Sequence, residues 1–221
     1  MKTSFAQRYC CQLVAAIAAA AFLSGCASTY YSAMEKVGVH KRDILIDRVE
    51  GARDAQTEAQ EQFKSALDQF SAVVNIGDSD LKAAYEKLND EFEDSEDAAQ
   101  NVTDRINKVE SVAEALFEEW EEELSLYTSA KLKRSSQAKL NETKKRYRSM
   151  LASMKKAEKS MTPVLNTFRD NVLFLKHNLN AQAIGSLKTE FASLKKDIDG
   201  LIQSMNASIK SSEQFIANIK Q

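Results

Sequence analysis

Apolar residues recur along most of this chain in alternating steps of four and three. From Leu45 the series runs through Val49, Ala52, Gln56, Ala59, Phe63, Ala66 and Phe70 to Val73, an a/d seam in which Gln56 is the lone polar member. A second series is longer: Leu81, Tyr85, Leu88, Phe92, Ser95, Ala99, Val102, Ile106, Val109, Ala113, Leu116, Trp120, Glu123 and Tyr127. A third runs Tyr147, Met150, Met154, Ala157, Met161, Val164, Phe168, Val172, Leu175 and Leu179, and its two consecutive steps of four after Val164 form a stutter. The fourth holds Ile184, Leu187, Phe191, Leu194, Ile198, Leu201, Met205, Ser208, Ser212, Phe215 and Ile219. Seven-residue periodicity sustained this long implies left-handed supercoiling.

The breaks between the series predict turns. Gly77 stands where a helix C′ glycine belongs, with Asp78 or Ser79 placed to cap the next helix. The string Lys176-His177-Asn178-Leu179-Asn180 reads as a second tight turn, with Asn178 able to take the left-handed conformation and Asn180 able to cap. Between them the seam fades over residues 128–136, and charge supplies the signal. Residues 86–123 hold fifteen acidic and three basic side chains, whereas 131–148 hold eight basic and one acidic. A reversal near Ser129 sets Glu118 to Glu123 beside Gln137 to Glu142, with Glu114 approaching Lys145 and Arg146; the alternative is one continuous helix with solvated charge blocks. Pro163, the only proline, either starts a new helix with Thr162 as its cap or kinks a continuous one.

The predicted fold is all-α: an elongated antiparallel coiled-coil bundle of about four long helices, at 36–75, 80–127, 131–177 and 182–219. A helix of about 48 residues is about 72 Å long at about 1.5 Å per residue, so the expected shape is a rod. One proline, six glycines and 28% charged residues agree with long helices.

The first residues change the picture. Lys2 and Arg8 form a positive n-region, and Leu13 to Leu23 form an alanine-rich apolar stretch. It falls short of the roughly 20 residues that span a bilayer but suits a signal-peptide core. It ends in Leu23-Ser24-Gly25-Cys26, which matches the bacterial lipobox. Small residues at Ser24 and Gly25 admit the peptidase, cleavage falls between Gly25 and Cys26, and the Cys26 thiol accepts the diacylglycerol and with it palmitate-type chains. The sequence therefore divides into a signal peptide at 1–25, a lipidated tether at 26–35 and a helical domain at 36–221. Cys10 and Cys11 leave with the leader, so the mature chain keeps a lone cysteine and forms no disulfide. Ala27, rather than Asp, at the next position favours the outer membrane, periplasmic face. Without Lys2 and Arg8 the mature chain has 28 basic against 32 acidic residues, near −4, which argues against nucleic-acid binding.

Two strings resemble a known family: Lys41-Arg42-Asp43-Ile44-Leu45-Ile46-Asp47-Arg48-Val49 and, more specifically, Leu173-Phe174-Leu175-Lys176-His177-Asn178-Leu179-Asn180-Ala181. With the lipobox they resemble uncharacterised bacterial lipoproteins defined by a domain of unknown function. The resemblance covers nearly all of the mature chain and implies a coiled-coil fold and membrane anchoring, without catalytic residues. Long coils of this kind are sometimes labelled DNA-repair ATPases; the chain has no Gly-x-x-x-x-Gly-Lys-[Ser/Thr] loop, so that label is rejected.

Chemistry-bearing constellations are few. His40 and His177 lie far apart and neither has a metal-motif partner, so both read as solvated or capping residues. No Gly-x-Ser-x-Gly elbow presents a nucleophile. The run Glu118, Glu119, Glu121, Glu122, Glu123 reads as a solvated face that complements the basic block rather than a cation site. The expectation is a non-enzymatic protein without metal or cofactor: a lipid-anchored periplasmic scaffold or interaction protein with a protein partner or self-association. The alternative is an accessory binding protein for a small ligand, a lipid or a cell-wall fragment. Val172, Leu173, Phe174 and Leu175 are four consecutive apolar residues beside a turn. At about 100° per residue they cannot all face one seam, so they are the candidate partner contact; the other outcome is burial beneath the neighbouring turn.

Overall fold

A computed structural model describes Met34, residues 38–75 and residues 80–220. The described residues form four long helices: α1 (Lys41–Asn75), α2 (Leu81–Glu123), α3 (Ala130–His177) and α4 (Ala181–Ile219). No strand occurs among the described residues. Each helix packs against its neighbour in sequence and α4 closes back on α1, which leaves α1 and α3 across the diagonal. The class is an all-α antiparallel four-helix bundle.

The periodic seams become the core. All nine positions of the first series are buried, and so are Leu81 through Leu116 of the second apart from the half-buried Tyr85. Phe63, Phe70 and Phe168 are fully enclosed, and each contributes about 1.5–3 kcal/mol of transfer free energy. Phe70 packs on Phe191 with ring centroids 5.7 Å apart, and Phe92 meets Phe168 edge-on at 5.6 Å.

The helix ends differ in instructive ways from the periodicity. The first helix begins at Lys41 rather than 36, because Gly38 takes a φ of 85°, a left-handed conformation that a helix does not run through. The Val39 N–H donates to the Met34 carbonyl at 3.1 Å. Met34 and Val39 both pack on the bundle core. The expected turn at Gly77 and the caps at Asp78 or Ser79 lie outside the described residues. The cap that the structure contains is Asp80, whose carboxylate accepts the Ala83 N–H from a left-handed backbone with φ of 49°.

The helical hairpin is present and the continuous-helix alternative falls. α2 stops at Glu123 instead of 127, a short 3-10 turn covers Leu124–Leu126, and Ser129 caps α3 by accepting the Leu132 N–H. Glu123 and Tyr127, assigned to the second seam, are exposed, because no helix from α1 or α4 extends far enough to cover them. Leu140 and Thr143 instead continue the core on the α3 side. The opposed charge blocks meet at Glu121 and Lys144, 2.6 Å apart, and beyond the basic block the same two helices are joined by Glu110 with Lys155 at 2.7 Å and Glu96 with Arg169. Each contributes about 0–1 kcal/mol, so together they select the partner face more than they stabilise it. Burial works against the Lys155 ammonium, but the hydrogen bond it donates to Glu110 and the Glu158 carboxylate outweigh it and raise its pKa.

Pro163 neither starts a helix nor ends one; α3 runs through it. Pro163 and Lys159 are both exposed, so the Lys159 carbonyl that loses its N–H partner faces solvent. Asn178 does not enter the left-handed region: its φ is −134°, and its side-chain amide donates to the Phe174 carbonyl at 2.8 Å, which satisfies that helix end directly. Asn180 caps α4 as expected, accepting from the Ala183 N–H.

Candidate functional site

The bundle has two ends of different construction. At one end α1 finishes, α2 begins and α3 turns into α4. The four apolar residues singled out there divide evenly. Val172 and Leu175 point into the core, while Leu173 is 46% and Phe174 40% exposed. The helical repeat forces this split: with the core on one side of α3, residues about 100° apart cannot all reach it. Leu179, assigned to the third seam, is also exposed, because α3 ends before it at His177.

Phe174 forms the rim of a groove of about 440 Å³ between α3 and α4, floored by Leu187 and Asn171 and lined also by Thr167, Asp170, Ser186 and Glu190. Asn171 is itself buried, its amide donating to the Thr167 carbonyl at 2.7 Å. The groove thus offers an aromatic edge, a leucine floor and two carboxylates. No base lines it.

At the other end, Lys41 is 7% exposed and its ammonium lies 2.8 Å from a Glu119 carboxylate oxygen, which ties the start of α1 to α2. Lys220 pairs with Glu50 at 3.0 Å and ties down the end of α4. Beyond these pairs only the α2–α3 hairpin continues among the described residues, held by the Trp120 indole N–H donating to Ser136 at 2.8 Å. Leu126, Tyr127 and Leu132 stand exposed there. The periodicity marks neither Leu126 nor Leu132 and assigns Tyr127 to the seam; the fading of the seam over 128–136 was the available signal of this end.

Just inside that hairpin Tyr147 lies between Phe117 and Phe215, at ring-centroid distances of 5.3 and 6.3 Å. Burial, reinforced by the carboxylates of Glu110 and Glu114, pushes its phenol up to about 12. His40 and His177 are both exposed, and they lie at opposite ends of the bundle. No group of three or more His, Cys, Asp or Glu placed to hold a metal occurs among the described residues. The acidic run is partly neutralised within the bundle, since Glu119 reaches Lys41 and Glu121 reaches Lys144. Gly25 and Cys26, the expected cleavage and lipidation site, lie outside the described residues, as does the apolar leader. Among the described residues no helix is long and apolar enough to cross a membrane.

Within the class of all-α bundles, the chain belongs to the family described as "Protein of unknown function (DUF2959)", whose model matches residues 30–219. No curated protein and no solved structure matches it.

Proposed function

We propose that this protein is a lipid-anchored periplasmic scaffold without enzymatic activity, acylated at Cys26 in the outer membrane, whose helical rod carries a partner-binding site at the end far from the anchor. The observation that carries the reading is the exposure of Leu173 and Phe174 beside a groove built from the same helices. Apolar surface beyond what a core needs marks interaction sites, and aromatic residues such as phenylalanine are enriched at protein interfaces. The up-and-down path of the helices puts this end away from the entry of the chain at Lys41. The coiled-coil periodicity of the seams and the lipobox at Leu23 to Cys26 support the rod and its anchor.

The test is Phe174→Ser in the lipidated protein, followed by crosslinking in intact membranes and mass spectrometry. A partner site predicts loss of a specific crosslinked protein with melting reduced only modestly. Retention of every crosslink, with a large loss of stability, gives Phe174 a packing role and removes the site. Co-purification of a lipid or glycan fragment in the groove would favour the alternative, an accessory binding protein for a small ligand.

A further inference from the structure

We infer that the α2–α3 hairpin tip is a second membrane contact, seated on an anionic lipid surface beside the acylated N-terminus, so that the rod stands in a fixed orientation instead of swivelling on its tether. The inference rests on the proposed lipid anchor at Cys26.

Three observations converge on it. The first is placement. The chain enters the bundle at Lys41, which is paired with Glu119 of α2, so the hairpin tip and the entry point share one end. Cys26 stands eight positions before Met34, where the chain already packs on the core. That segment reaches at most about 28 Å, at about 3.3–3.6 Å per residue. From the level of Glu119 to Tyr127 the hairpin projects about 12 Å, at about 1.5 Å per residue. An anchor held by so short a connection keeps the tip within reach of the same surface.

The second is shape. α4 ends at Ile219 against Lys139, Glu142 and Thr143 of α3, and α1 starts level with Glu119. The last turns of the hairpin therefore project beyond both flanking helices. Leu126 is 76% and Leu132 57% exposed, with Tyr127 between them at the reversal. The buried Leu124 and the Trp120–Ser136 hydrogen bond hold the tip in shape from within, so the outward leucines are not needed to close it.

The third is charge. From Leu124 to Ala138 the chain carries Lys131, Lys133 and Arg134 and no carboxylate. Glu122 and Glu123 lie behind the tip, toward the bundle. Two leucines and a tyrosine on a stretch whose only charges are three cations suit the boundary between acyl chains and anionic headgroups. There tyrosine sits at headgroup depth, and Lys and Arg are drawn to the negative surface.

The experiment uses the full lipidated protein purified from membranes, with a Leu126→Cys substitution carrying an environment-sensitive fluorophore. Cys26 is blocked by its lipid, so the label is unique. Vesicles of phosphatidylcholine with phosphatidylglycerol are compared with phosphatidylcholine alone, and Lys188→Cys at the opposite end serves as control. The expected result is blue-shifted emission, quenched by brominated acyl chains, at position 126 only. It should weaken when Lys131, Lys133 and Arg134 are changed to Glu. Protein that floats with the vesicles while the 126 probe stays in water overturns the tip contact and leaves the anchor standing. A blue shift that needs no vesicles and grows with protein concentration overturns it in favour of self-association. Absence of lipid on Cys26, read by mass spectrometry of the same sample, removes the anchor and the inference with it.

Discussion

Gln56 gives the sharpest energetic test of the bundle. It occupies a seam position of α1 that is wholly buried, and neither its amide nitrogen nor its carbonyl oxygen has a hydrogen-bond partner among the described residues. Ser208 of α4 is enclosed in the same way with its hydroxyl unpartnered. The antiparallel register set by Gln60 donating to Asn206 at 3.0 Å puts Ser208 and Ser212 across from Gln56. Ser212 differs in donating to the Ser208 carbonyl at 3.0 Å. Leaving a buried polar group unsatisfied costs about 1–3 kcal/mol, and leucine has nearly the volume of glutamine. Gln56→Leu removes two such atoms and adds apolar contact, while Ser208 keeps its deficit. The expected net gain is about 2 kcal/mol, which raises Tm by about 4–8 °C for a domain of this size. Thermal unfolding followed by circular dichroism reads it, with light scattering on the same samples. A lower Tm in the leucine variant would refute the reasoning and mean that Gln56 is satisfied in solution, for instance through a bridging water. A higher Tm with a changed oligomeric state would assign Gln56 the role that single polar seam residues play elsewhere, fixing register at a cost in stability.

Three further outcomes follow from the same geometry. Phe174→Ser removes a ring that is only partly covered, so its stability loss should be about 1–2 kcal/mol, below the roughly 3–5 kcal/mol of a fully buried phenylalanine; differential scanning calorimetry distinguishes them. Tyr147 titrates near 12 in the fold against 10.0 in a free side chain, so the neutral phenol is the form the fold favours. Its contribution to stability is complete below pH 10 and is lost as the pH rises to about 12, and Tyr147→Phe should remove that part of the alkaline decline; an unchanged slope in pH-dependent melting counts against the burial argument. Cys26→Ser should abolish labelling by radioactive palmitate and release the chain from membranes, since stable anchoring needs two or more acyl chains; persistent labelling would place the lipid elsewhere.

The core was legible in the sequence because a heptad seam specifies which face of a helix is buried without reference to its neighbours. Every position from Leu45 to Val73 follows that rule, including the polar Gln56. The reversal near Ser129 was legible for a different reason: unlike charges on Glu121 and Lys144 are better placed side by side than a helix length apart. What escaped depended on local backbone or on where another helix stops. Gly38 interrupts the first helix through a positive φ that periodicity does not register. Pro163 is tolerated because it falls on the solvent side of α3, a fact fixed by the packing of α2 and α4. Tyr127 and Leu179 continue their seams on paper, yet both lie past the last turn that a partner helix covers. For the same reason the rule of about 100° per residue bounded how many of residues 172–175 face outward without naming them.

The two apolar ends carry opposite local charge, and the two proposed contacts differ accordingly. The hairpin presents Leu126, Tyr127 and Leu132 among Lys131, Lys133 and Arg134. The groove beside Phe174 is lined by Asp170 and Glu190 with no cation among its walls. An anionic lipid surface attracts the first and repels the second. An apolar groove with acidic walls suits a protein segment that brings a hydrophobic side chain and a Lys or Arg, which is the chemistry expected of the partner proposed for that end. Exchanging the charges would test the assignment as a whole. Asp170→Lys with Glu190→Lys should abolish capture of that partner while leaving the helical content intact, because both carboxylates lie on the groove wall rather than in the core. Capture that survives the reversal would show that the carboxylates take no part in recognition and reduce the site to the apolar contact of Leu173 and Phe174.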